Sequence, residues 1–88
     1  MAMEIEQMVK IHKALGDRTR YLIMQSVIKN KSICPGMLCE EMQNVASSTM
    51  SHHLRLLADS GLIIPEKQGT YIFYRPNQPI VDLFFQDI

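Results

Sequence analysis

Residues 45–64 read V-A-S-S-T-M-S-H-H-L-R-L-L-A-D-S-G-L-I-I, and this stretch decides the fold. Met50, Leu54, Leu57 and Ala58 recur at i, i+4, i+7 and i+8, the spacing of one buried face of an α-helix. The opposite face is short and hydrogen-bonding at its front: Ser47, Ser48, Thr49, Ser51 and His52, with Arg55 a turn further on. Gly61 stands where a helix ends in a left-handed residue, and Leu62-Ile63-Ile64 continues as an apolar strand. Two readings fit the serine-rich front. Small polar side chains suit a recognition helix that enters a groove of DNA. Serines also gather at helix starts because they cap the free amide groups there.

The flanking residues supply a frame for this helix. Upstream, Cys34-Pro35-Gly36 opens a shorter helix with proline at its first position, Leu38 and Met42 inward and Glu40 and Glu41 outward. The turn Gln43-Asn44-Val45 joins the two into a helix-turn-helix. Downstream, Leu62–Glu66 and Tyr71–Arg75 read as strands around a Lys67-Gln68-Gly69-Thr70 turn. A hairpin in that position is a wing whose tip touches phosphate or the minor groove. Pro65 is expected near a strand end, where an edge strand tolerates it.

Before the helix-turn-helix, a helix over 4–15 gathers Ile5, Met8, Val9, His12 and Leu15 on one face. Asp17 then caps a second helix of about 17–28 with a wide stripe: Tyr21, Met24 and Ile28 flanked by Leu22, Ile23 and Val27. K-N-K-S turns the chain, and Ile33 forms a brief strand. The tail restarts as a helix near Pro79, with Ile80, Leu83 and Phe84 on one stripe and Val81, Phe85 and Ile88 on another. So apolar a helix needs cover, either from a second copy of the chain or from its own first helix. The expectation is a mostly α (α+β) fold, a winged helix-turn-helix of about five helices and a two-stranded hairpin. Residues 1–88 form one domain whose terminal helices serve dimerisation.

An 88-residue chain buries only somewhat over ~60% of its unfolded surface, so pairing with a second copy adds stability. A hydrophobic fraction of 47% is that of a globular chain. No apolar run reaches membrane-spanning length, and M-A-M-E-I-E lacks the apolar stretch of a signal peptide, so the expected location is cytoplasmic. Net charge is zero, which argues against indiscriminate binding to polyanions and for a two-fold dimer as the DNA-binding species. Between 10 and 31, however, Lys10, Lys13, Arg18, Arg20, Lys29 and Lys31 face only Asp17, a basic region fit for the DNA backbone.

Four segments in this order, A-L-G-D-R-T-R-Y-L-I, L-C-E-E-M, S-S-T-M-S-H-H-L-R-L-L-A-D-S-G-L-I and Q-G-T-Y-I-F-Y-R, resemble the ArsR/SmtB family of winged-helix repressors over roughly residues 8–76. The resemblance implies a homodimer built from first and last helices, bound to an inverted-repeat operator in double-stranded DNA and released by a ligand, often a metal ion. It carries base contacts onto Ser47, Ser48, Ser51 and His52, and phosphate contacts onto Arg55 and the wing residues Lys67, Gln68 and Thr70. Ala46 departs from the family, which has a polar cap there, and Ser47 is expected to take capping over.

The family's thiolate site, Cys-x-Cys with a third cysteine three residues on, meets C-P-G-M-L-C here. Cys34 and Cys39 match its outer positions and Gly36 replaces the middle one. Soft metal or metalloid ions take three or four such ligands, and residues i and i+5 of one helix project about 140° apart. Cys34 and Cys39 therefore stand between a metal or oxidant sensor and a structural role, Cys39 as a small core residue. The second family site, on the last helix, has Asp82 and Asp87 but no histidine among residues 77–88. His52 and His53 are adjacent, about 100° apart on a helix, and cannot share one ion. His52 fits a base or phosphate contact, while His53 packs beside its helix and His12 sits at a core edge or interface. No glycine-rich phosphate loop, H-E-x-x-H or nucleophile elbow is present, so an enzyme is not expected. The rival to a DNA-binding repressor is a winged helix used for protein contact.

Overall fold

The computed structural model describes residues 3–85. The order is α1 (Ile5–Leu15), α2 (Arg18–Asn30), α3 (Pro35–Glu41), α4 (Ser47–Asp59), β1 (Ile63–Gln68), β2 (Tyr71–Pro76) and α5 (Gln78–Phe84). This is the winged helix-turn-helix expected, with α3 and α4 as its two helices and β1–β2 as the wing. Its boundaries follow local chemistry. The Asp17 carboxylate accepts the Arg20 amide at 3.0 Å and caps α2. Helix α2 runs two residues beyond the expected end, to Asn30, because Lys31 takes the left-handed turn at φ 65. Pro35 opens α3.

Helix α4 ends in a Schellman motif. The Leu62 amide donates to the Leu57 carbonyl at 3.2 Å and the Gly61 amide to Ala58 at 3.0 Å. Gly61 sits at φ +88, and a Cβ there would lie 2.8 Å from Gln7 Nε2. Asn77 closes the wing onto this corner, donating its side-chain amide to the Gly61 carbonyl at 2.8 Å and its backbone amide to Leu62 at 2.9 Å. The corner fixes the angle between α4 and the wing.

One core draws on every helix and on β1. Ile11, Ile23, Met24, Val27, Leu38, Met50, Leu54, Leu57, Leu62 and Val81 are buried there together with Ile33. Each large side chain of this kind contributes about 1.5–3 kcal/mol when withdrawn from water. The α4 stripe Met50, Leu54 and Leu57 is buried as its spacing predicts, with Ala58 half-buried at its edge.

The wing differs in detail from expectation. Its register runs from Ile63↔Pro76 to Gln68↔Tyr71, so Lys67 and Gln68 belong to β1 and the loop is only Gly69-Thr70. Gly69, at φ +64, occupies the first loop position, as a two-residue turn of right-handed strand twist requires. Pro65 lies third in β1, opposite Tyr74, rather than at a strand end. It is tolerated because the Tyr74 amide and carbonyl bond the other way, to Ile33, at 2.8 and 3.0 Å. That bridge is the brief strand expected at Ile33.

The terminal helices hold the main departure. Helix α1 buries Ile11 and Ala14, whereas three residues of the stripe read from its sequence, Ile5, Met8 and Val9, are 78%, 39% and 46% exposed. Helix α5 folds back onto its own chain through Val81 and Phe85: Phe84 meets His12 edge-on and Phe85 meets Tyr21, both at 5.5 Å between ring centres. Leu83 is nevertheless 64% exposed. Both terminal helices are thus apolar on two sides, one spent internally and one facing out. Ile88 and Asp87 lie outside the described residues.

Candidate nucleic-acid interface

The front of α4 is open. Ala46 is its N-cap, extended at φ −66 and ψ 152, with no side-chain cap bond. Ser47 is the first helical residue and does not take over capping, contrary to expectation. Capping therefore does not account for the serines. Ser47, Ser48, Thr49, Ser51 and His52 are all exposed. At 100° per residue, Ser48, His52, Arg55 and Asp59 project directly away from Met50, Leu54 and Leu57, with Ser47 and Ser51 on one flank. Thr49 lies on the other flank and completes the polar tip.

His52 and Arg55 form a unit, with Arg55 Nη2 donating to His52 Nδ1 at 3.0 Å. A guanidinium has no acceptor, so this bond needs a lone pair on Nδ1 and leaves Nε2 as the ring's donor. The pair thereby presents an imidazole donor beside a cation. Asp59 places a negative charge at the far end of the same face.

His53 lies on the inner flank, as expected, and accepts from Arg20 Nη1 at 3.2 Å. Burial holds its pKa below the usual imidazole value, with the Arg20 charge acting in the same direction and Asp17 against. Arg20 also donates from Nε to the Ala14 carbonyl at 2.9 Å and from Nη2 to Lys13 at 3.5 Å, closing the end of α1. The Asp17 carboxyl stays below its ordinary range, chiefly through the Arg20 amide bond. The basic region 10–31 is therefore not one surface. Arg20 works internally, Lys10 and Lys13 line a cleft against the last turn of α4, and Arg18, Lys29 and Lys31 are exposed elsewhere.

On the wing, Lys67, Gln68 and Thr70 are exposed around the turn. Arg75 pairs with Glu66 at 2.8 Å, so Lys67 is the wing cation without an ion-pair partner among the described residues. Tyr71, the first residue of β2, is 67% exposed beside the loop. A wing of two strands has one covered face, and the alternation alone did not say which residues would take it.

Cys34 and Cys39 are both free thiols. Cys34 precedes α3 with extended backbone at φ −94 and ψ 160, so it shares no helix face with Cys39. Both are half-buried, and Cys39 packs against the core. No group of three or more His, Cys, Asp or Glu side chains converges among the described residues.

A helix-turn-helix with an open polar tip and a wing beside it is the architecture of a DNA-binding transcriptional regulator. No protein-family model matches the sequence. An uncharacterised HTH-type transcriptional regulator of Methanocaldococcus jannaschii is 36% identical over 69 residues, 78% of this chain and 76% of that one. The arsenical resistance operon repressor of Bacillus subtilis is 35% identical over 72 residues, 80% of this chain and 66% of the repressor. Among solved structures, an ArsR family transcriptional regulator matches with a TM-score of 0.76 at 26% identity, over 94% of this chain and 84% of its own. An ArsR-like regulator from Rhodococcus sp. RHA1 shares the fold at a TM-score of 0.79 and 23% identity, over 89% of this chain and 72% of its own. The chain belongs to the ArsR/SmtB family of winged helix-turn-helix transcriptional repressors, which are not enzymes. No helix among the described residues is long and apolar enough to cross a membrane.

Proposed function

We propose that two copies of the chain pair through the outward faces of α1 and α5 and bind an inverted-repeat operator. Each α4 enters a major groove, and the two helices sit about 34 Å apart, one duplex turn. Ser47, Ser48, Ser51 and His52 read base edges. Arg55 and the wing residues Lys67, Gln68 and Thr70 hold phosphates, aided by the uncapped amides at the start of α4. The observation that carries this reading is the pairing of two exposed surfaces of opposite character. Ile5 and Leu83 are 78% and 64% exposed on the terminal helices, and the α4 tip is polar and without a cap. The first surface needs a protein partner and the second does not.

The test titrates the protein against duplexes from its own promoter by fluorescence anisotropy, with light scattering to count chains. A two-chain complex on a palindromic duplex, weakening steeply with salt, supports the proposal. Monomers with no preference for palindromic DNA would overturn it and favour the protein-contact reading.

A further inference from the structure

A cleft of about 450 Å³ lies between α1 and the last turn of α4, lined by Lys10, Lys13, Ala14, Arg20, Leu56 and Asp59. It lies toward the opposite end of α4 from the serine tip, about 14 Å along the axis. We propose that this cleft binds a small organic acid, an anion with an apolar body, and that the bound acid changes operator affinity.

Three cations surround the cleft against one carboxylate. Lys10 and Lys13 form no ion pair among the described residues. Arg20 is held in place by Ala14, Lys13 and His53, which together occupy three of its five N–H donors. Two donors remain on a guanidinium already fixed by the fold, so an arriving carboxylate is met without ordering a free side chain. Ala14 and Leu56 add apolar wall, which a bare phosphate or a DNA backbone would leave unfilled. The volume suits a ligand of the size of an aryl carboxylate. Asp59 disfavours a second negative charge and selects a monoacid, or one with a hydrogen-bond donor at its other end.

The cleft spans the seam between α1, which carries the outward apolar face, and α4, which carries the polar tip. An acid seated there holds the two helices at one angle, and so alters the separation of the two tips in a dimer. This coupling rests on the DNA-binding reading above, whereas binding of the acid does not.

The first measurement uses 3-phenylpropionate and its neutral amide as probes of the unmodified protein, followed by amide chemical shifts. The proposal expects saturable shifts at residues 10–14, 20 and 56–60 with the acid and none with the amide. Lys10→Gln with Lys13→Gln, both at exposed positions, raises the Kd for the acid by about tenfold or more. Equal shifts with acid and amide, or no shifts near the cleft, overturn the site. Saturating acid that shifts the cleft but leaves a measured operator affinity unchanged overturns the coupling alone. A chain that binds no DNA but still takes up the acid overturns the DNA reading and leaves the site standing.

Discussion

The front of α4 and the outer sides of α1 and α5 are both exposed, yet they are opposite in chemistry. The α4 tip shows hydroxyls, an imidazole and a guanidinium, all content in water. The outer sides of α1 and α5 show Ile5, Met8, Val9 and Leu83, which are not. A polar tip costs nothing to leave open, so only a ligand gives it purpose. An apolar surface costs free energy until covered, so it marks association even before a partner is known.

Charge placed on the apolar side breaks this contrast most severely. Ile5→Glu combined with Leu83→Glu leaves the monomer folded, because both side chains already face water. Pairing is lost, and operator affinity falls by about 100-fold or more as two linked half-site contacts become one. Light scattering and anisotropy read both effects, and an unchanged dimer would show that the surface plays no part in pairing.

On the polar side, His52→Ala removes an imidazole donor and the partner of Arg55. Operator affinity falls by about tenfold, within the range of one to three kcal/mol for a lost base contact. The melting temperature stays within a degree or so of wild type, because the side chain is exposed. A shift in melting temperature with no change in affinity would make His52 structural. A smaller effect belongs to the wing. Lys67→Gln lowers the slope of log affinity against log salt by about one and weakens binding a few-fold without altering sequence preference.

The subtlest expectation concerns the inner flank of α4, where His53 sits between the two surfaces. Its pKa in the fold is lowered from the ordinary 6.5, so below that pH the unfolded chain binds the proton more readily. Stability is therefore full above 6.5 and declines as pH falls toward the folded value. The melting temperature drops on mild acidification, and His53→Gln flattens that drop. The lowered Asp17 pKa adds a second loss as pH falls below 3.8.

Much of this was legible beforehand because it is local. The buried stripe of α4, the Asp17 cap, the Gly61 stop and the wing each depend on residues within a few positions of one another. Local chemistry also misled at two points. A serine beside the helix start suggested a cap that Ser47 does not supply, since one residue of offset moves it inside the helix. The polar run Lys67–Thr70 suggests a four-residue turn, whereas the register closes over two.

Sequence alone determined which elements exist and which residues are polar, because backbone periodicity and end chemistry act over one or two turns. Only the tertiary structure decided which of two apolar sides of α1 and α5 is spent inward. Ile11 and Ala14 reach the core while Ile5 and Val9 do not, and nothing in their order says so. It also decided that Arg20, one of six cations in a basic stretch, turns inward to close α1 and frame a cleft with Leu56 and Asp59. Those outcomes depend on how helices distant in the chain dock together, and a linear pattern carries no such angle.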